Sequence, residues 1–305
     1  MTRRRARESV RRCHAFAPAH ITGVFSPELG ARDPRARGSR GAGIVLELGV
    51  IAEVEWDPTR PPAVSVTSDL RGPLPISRDV AVRLAPAGNG RVRVRLTHQL
   101  PVGQGFGMSA AGALATAFSL SACFRIPRQR AVEVAHLADL YGGGGLGGVA
   151  AILGGGLEFR SRAGVPPYGR VVHRTFPRPL IVGVAGRPIP SPSILGDPRA
   201  LRRIVAAAER SGLTRSAPSP TEFLQQSQAF TDQVGLAPTA LRNTIQALRR
   251  EGGWAAQAMF GQSFFTVPRS TLARRRILRW LERRGIRAVE LHAGKAGATM
   301  APDAR

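Results

Sequence analysis

The sequence predicts an α+β protein in which strands come first and the first long helix follows a glycine loop. Residues Arg91 to Thr97 read RVRVRLT, a period-two alternation that fits a strand with one buried face. Pro101 to Ala117 then reads PVGQGFGMSAAGALATA, where glycines at 103, 105 and 107 give way to small, helix-tolerant residues from Ser109. Several segments beyond Val171 show helical periodicity mixed with short β-forming runs.

Taken in order, Cys13 to Leu29 begins as a short apolar strand that should break at Pro18. Gly30 to Gly43, with GARDPRARGSRGAG, has no apolar period and reads as a flexible basic turn. Ile44 to Trp56 and Val64 to Thr67 are rich in β-formers, and Pro75 to Leu84 fits a helix. Helices are expected at Ser109 to Phe124 and Arg128 to Leu140, the second with Glu133 and Asp139 outside its apolar stripe. Leu157 to Arg160, Val171 to Arg174 and Pro179 to Ala185 read as strands. The proline-rich stretch 188–198 marks a linker or boundary. Helices follow at Arg199 to Arg210, Thr221 to Val234, Pro238 to Arg250 and Leu272 to Arg284, with a strand at Ile286 to Leu291.

The glycine loop carries the chemistry. Alternate glycines leave backbone N–H groups uncovered, and a following helix N-terminus adds more, which makes a cradle for phosphate. Ser109 stands where loop becomes helix, so its hydroxyl can cap the helix or hold a metal. A P-loop is excluded, because the one lysine in the chain, Lys295, lies far from any GxxxxGK[ST] pattern. Gly105, Gly107 and Ala110 satisfy GxGxxA, but the acidic residue a dinucleotide fold wants about 20 positions later is missing. A glycine-rich turn before a buried helix stays open as the plain structural alternative.

Pro101-Val-Gly-Gln-Gly-Phe-Gly-Met-Ser-Ala-Ala resembles the PxxxGLGSSAA loop of the GHMP small-molecule kinases, and GFGMS followed by AGAL resembles the archaeal pantoate kinases among them. APAHITGVF, at 17–25, and the glycine run 142–156 are similar to other segments of the same kinases. Residues 1–12, rich in arginine, read as a solvated basic tail, and the resemblance implies a GHMP-kinase-like two-lobed fold beyond it: an ATP-binding N-terminal domain over 13–187 with a mixed sheet and helices, and a C-terminal α+β sandwich over 188–305. It implies ATP contacts from Pro101, Gly103, Gln104, Gly105, Phe106, Gly107, Met108, Ser109, Ala110 and Ala111. Ser109 and Asp139 would be the catalytic residues and hold Mg²⁺, Asp139 standing where those kinases carry a glutamate. His20, Thr22, Ser26 and Arg160 would face pantoate or a similar hydroxy acid, with Ser39 and Arg40 as weaker candidates. Gly148 departs from the pattern, because it takes the place of the aspartate usually offered as catalytic base. An active but slow kinase and an inactive nucleotide-binding homologue therefore both remain open. A homodimer is left open as well.

The chain has 305 residues, enough for one large domain or two modest ones. Lys and Arg number 44 against 20 acidic residues, a formal +24. Nearly all of that is arginine, which suggests coding-sequence bias. Aromatics are only 6% and no RNA- or DNA-binding motif accompanies the charge, so no specific nucleic-acid partner is expected, and a basic nucleic-acid-binding protein stays open only as the lesser alternative. The field would still draw in anionic substrates. Cys13 and Cys123 alone offer no disulfide framework, and the cytoplasm is the default location. The uncharged run Gln99 to Phe124 is broken by proline and glycines, a poor membrane span, so no membrane association is expected.

Overall fold

Two strands longer than the sequence patterns suggest form the spine of the molecule. In a computed structural model that describes residues 9–88, 90–189, 191–211 and 216–302, β1 (Arg11–Glu28) and β2 (Gly38–Asp57) pair antiparallel from end to end. Pro18 does not break β1 as expected. The register slips between Pro18 and His20, so the missing N–H falls at a bulge, where proline is tolerated. A second slip lies between Thr22 and Val24. Together they re-aim the side chains of 20–22.

The basic turn expected over 30–43 is shorter than it looked. Only Pro34–Ala36 forms a 3-10 turn, capped by the Asp33 side chain, and Gly38 onward already belongs to β2. Pairing with β1 overrides the absent apolar period. Gly41 is needed there: at φ +159 a Cβ would lie 2.4 Å from the Val24 carbonyl oxygen.

The remaining N-terminal elements are β3 (Ala63–Ser68), α1 (Pro75–Leu84), β4 (Arg91–His98), α2 (Met108–Phe124), α3 (Arg128–Tyr141), the one-turn α4 (Gly148–Ala151), β5 (Leu157–Arg162) and β6 (Arg170–Arg174). Then come β7 (Leu180–Val184), α5 (Ser191–Leu195), α6 (Pro198–Arg210), α7 (Pro220–Val234), α8 (Thr239–Arg250), β8 (Gly253–Gln257), β9 (Ser263–Pro268), α9 (Thr271–Arg283), β10 (Ala288–Leu291) and β11 (Thr299–Pro302). The first sheet runs β11-β1-β2-β4-β3, with β5 joined to β2 and β6 to β5; the second runs β10-β7-β9-β8. β7 thus joins the second sheet ahead of residue 188, and β11 returns to the first. Residues 1–8 of the basic tail lie outside the described residues.

α2 is the organising helix. Its small residues let it sink between the first sheet, α1 and α3, and almost every side chain from Ala110 to Leu120 is buried. The same core continues through Leu180, Val182, Phe223, Phe265 and Val267, so both sheets share it. Phe118 is wholly buried and holds the Arg128 guanidinium over its ring at 4.4 Å.

The cysteines correct another expectation. Cys13 of β1 and Cys123 in the last turn of α2 form a disulfide, their Cα atoms 5.7 Å apart. Packing of α2 along β1 brings them together, which a separation of 110 residues does not reveal. No described helix is long and apolar enough to cross a membrane.

Candidate active site

A cavity of about 290 Å³ opens at the N-terminus of α2, between the glycine loop, the run 143–148, the middle of β1 and the turn after β8. Its loop side is built by positive-φ glycines at 103, 105 and 107, and Gly107 is the N-cap of α2. The first intrahelical bond is Ala111 N–H to Gly107 O at 3.0 Å, so N–H groups of the first turn remain for an anion. Gly107, Met108, Ser109 and Ala110 all line the cavity.

The loop is pinned to both sheets. His20 N–H donates to Phe106 O at 3.0 Å, and Ile189 N–H donates to Gly103 O at 3.1 Å. Gln104 is buried, donates its side-chain amide to Gly186 O at 3.0 Å and accepts from the Ser263 hydroxyl through its backbone carbonyl. A Cβ on Gly105 would strike Ala258 O at 2.4 Å, and one on Gly261 would strike Gln104 O at 2.2 Å. These glycines therefore serve the fit between loop and second sheet as much as the approach of phosphate.

Asp139 and Ser109 form the opposite corner. Asp139 is buried, and burial pushes its carboxyl up to about 7, although the Ser109 hydroxyl and the Gly145 N–H work against this. Gly145 N–H reaches Oδ2 at 3.2 Å, while Oδ1 is buried with no hydrogen-bond partner. The glycine run exists to make room here. A Cβ on Gly144 would lie 1.9 Å from Asp139 Oδ1 and one on Gly147 2.6 Å from the Ser39 hydroxyl. At Gly148 the neighbour is Ala110 Cβ, at 2.6 Å.

At the third side His20, Thr22 and Ser39 line the cavity, with an ionic cluster behind them. His20 Nε2 meets Glu158 Oε1 at 2.9 Å, and Arg160 Nη1 donates to the same oxygen. Arg160 Nε also donates to Ser39 O at 3.3 Å. Glu158 and Arg160 are respectively 0% and 1% exposed. Burial alone would raise the Glu158 carboxyl, but the Arg160 charge and the His20 hydrogen bond outweigh it and hold it low. Burial likewise pushes the His20 imidazole down despite Glu158, leaving a neutral ring. Nε2 then carries the proton toward Glu158, and Nδ1 faces the Thr22 hydroxyl at 3.5 Å.

The residues expected at the site are thus divided. Gly103, Gly105, Phe106, Gly107, Met108, Ser109, Ala110, Asp139, His20 and Thr22 line the cavity, as does Ser39. Pro101, Gln104 and Ala111 do not: Pro101 is exposed, Gln104 faces the second sheet and Ala111 is in the core. Ser26 pairs opposite Arg40 outside the cavity, and Arg40 is ion-paired with Glu28. Arg160 stands behind Gly147 and Ser39, and its guanidinium is committed to Glu158. Glu158 escaped the sequence reading. Its signal was available, because Glu158 and Arg160 share one face of a strand set in apolar surroundings.

Fold and site together are those of a small-molecule kinase, and comparison with known proteins makes the assignment specific. A model of the GHMP kinases N terminal domain matches residues 76–156. Two relatives described as pantoate kinase are those of Methanospirillum hungatei, 30% identical over 84% of this chain and 87% of its own, and Thermococcus kodakarensis, 32% identical over the same shares. A solved structure described as a phosphotransferase related to the CoA biosynthesis pathway superposes with a TM-score of 0.85 at 27% identity, covering 95% of this chain and 98% of that one. Homoserine kinase from Cytophaga hutchinsonii, 13% identical with a TM-score of 0.63, shares the fold over 99% of this chain and 100% of its own. The chain belongs to the GHMP kinase family, with pantoate kinases among its homologues. It is an ATP-dependent kinase that phosphorylates an alcohol.

Proposed function

We propose that the acceptor is pantoate, phosphorylated on its 4-hydroxyl in a step that feeds coenzyme A synthesis. The reading is supported by the two pantoate kinase relatives, which align over most of the chain. The observation that carries it in the structure is the join, in one cavity, of a phosphate cradle to a polar wall backed by the His20–Glu158–Arg160 cluster. Such a wall suits a small hydroxy acid. Thr22, Ser39 and His20 offer hydrogen bonds, and the paired Glu158 and Arg160 behind them hold the His20 ring and the Ser39 backbone in place.

A magnesium ion fits the corner between Ser109 and Asp139. The orphaned Oδ1 of Asp139, buried beside a serine hydroxyl, is a hard-oxygen donor set of the kind that ion takes. Bound there, it would offset charge on the ATP phosphates. The N–H groups of 107–110 hold the phosphates, and the loop's bonds to both sheets fix their position. No carboxylate stands at 148 to take the hydroxyl proton, and we propose that turnover is slowed for that reason. A loose transition state needs early deprotonation little, so catalysis by positioning remains.

The test is a coupled assay with ATP, Mg²⁺ and a panel of hydroxy acids. Phosphorylation of pantoate in preference to homoserine and mevalonate is expected. Preference for another acceptor would refute the assignment, and ATP binding with no transfer to any acceptor would refute the reading of a slowed but active kinase.

A further inference from the structure

The cavity has an apolar end that neither the phosphate cradle nor the His20 cluster uses. Phe25 of β1 stands edge-on to Phe260 with centroids 5.3 Å apart, and Phe230 backs Phe25 at 5.9 Å. Phe25, Met259 and Phe260 line the cavity while nearly buried, each less than a tenth exposed, and Leu146 and Leu195 complete the patch. The turn that carries Met259 and Phe260 is fixed to the polar wall, because Met259 N–H donates to Thr22 O at 3.4 Å. Its other end rests on the glycine loop through Gly261 and Gln104. Hydrogen-bonding groups and a rigid apolar wall therefore meet at Thr22.

We propose that Phe25, Met259 and Phe260 are specificity-determining residues that read a branched, apolar carbon in the acceptor, between its acid and its alcohol. The inference rests on the pantoate reading, since pantoate carries two methyl groups on that carbon. A straight-chain hydroxy acid leaves the wall facing empty space or water. A methyl-sized group in a hydrophobic pocket discriminates by about 10- to 200-fold. Polar groups at the other end would bind both compounds alike, so the difference belongs to the wall.

The experiment compares kcat/KM for pantoate and for 2,4-dihydroxybutanoate, its analogue without the methyl groups, in wild type, Phe260→Ala and Met259→Ala. Wild type should prefer pantoate by about 10-fold or more. Each variant should shrink that preference to within a few-fold, mainly through a raised KM for pantoate, with KM for ATP unchanged. Phe260→Leu, which keeps bulk, should retain most of the preference and so separates the wall from a folding defect; unfolding temperatures accompany each variant. A wild type that uses both acids equally, or folded Ala variants that keep the full preference, would overturn the proposal while leaving pantoate as a substrate. A wild type that phosphorylates homoserine and neither of these acids would overturn the pantoate reading itself.

Discussion

Restoring a carboxylate at position 148 probes chemistry and packing together. Gly148 opens α4 without a left-handed backbone, so conformation does not forbid a side chain there. Space does. A Cβ would lie 2.6 Å from the Ala110 Cβ, inside the buried first turn of α2. Overpacking of this kind costs about 1–3 kcal/mol. The same Cβ would lie 3.9 Å from Asp139 Oδ2. A second carboxylate on that Cβ would stand close to Asp139, and their repulsion adds to the cost. Gly148→Asp alone should therefore lose several kcal/mol of stability in the absence of a cation and gain no turnover. Ala110→Gly removes the blocking methyl for about 1 kcal/mol of helix propensity. With Mg²⁺ present, the double variant should fold and, if the absent base limits the rate, turn over about 10² to 10⁴ times faster. Coupled turnover and thermal unfolding, each with and without Mg²⁺, read both effects. A Gly148→Asp protein as stable as wild type would refute the packing argument. A folded, ATP-binding double variant that is no faster would refute the claim that the missing carboxylate sets the rate.

Three further outcomes follow from geometry already described. In chelator, Asp139→Asn should be more stable than wild type above pH 7 and lose that advantage toward pH 4. The native carboxyl titrates near 7 against 3.8 unfolded, so the native state binds the extra proton in that window and wild type loses up to about 4 kcal/mol as pH rises through it; equal pH profiles in denaturant unfolding would contradict this, and turnover should vanish in the variant. Gly105→Val should lower the unfolding temperature as well as ATP affinity, because its Cβ meets Ala258 O at φ +74; lost calorimetric affinity with an unchanged unfolding temperature would show that the residue serves phosphate alone. Glu158→Gln leaves Arg160 buried without its counter-charge and should cost about 3–5 kcal/mol in denaturant unfolding, and a loss under about 1 kcal/mol would refute the pairing.

Much of this was legible in the chain. The RVRVRLT alternation and the helix at Pro75–Leu84 needed only local periodicity and propensity, and α2 followed from a loop that could end in nothing else. Misreadings arose where a partner decides. Pro18 breaks a strand by local rules, but β2 holds the chain extended through a bulge. Gly38 to Gly43 has no apolar period, because a Cβ on Gly41 or Gly43 would strike the paired β1 backbone at Val24 O or Ile21 O. Gln104 sits inside a phosphate-loop pattern, yet its amide is drawn to the second sheet. The engagement of Arg160 was a further thing local sequence could not show: its guanidinium pairs with a carboxylate two residues earlier on the same strand face.

The Cys13–Cys123 bond has a consequence for the chain as a polymer. It closes a ring spanning 110 residues that contains His20, Thr22, Ser39 and the whole glycine loop, while Asp139, Glu158 and the second sheet hang outside it. A covalent ring of about 100 residues removes loop-closure entropy worth about 4.7 kcal/mol from the denatured ensemble in the chain-entropy model. Oxidised and reduced protein would then present the same cavity to ATP and differ in how far the acceptor strands and phosphate loop can drift apart once the fold is lost. Refolding would start from a search already confined on one side of the site and unconfined on the other.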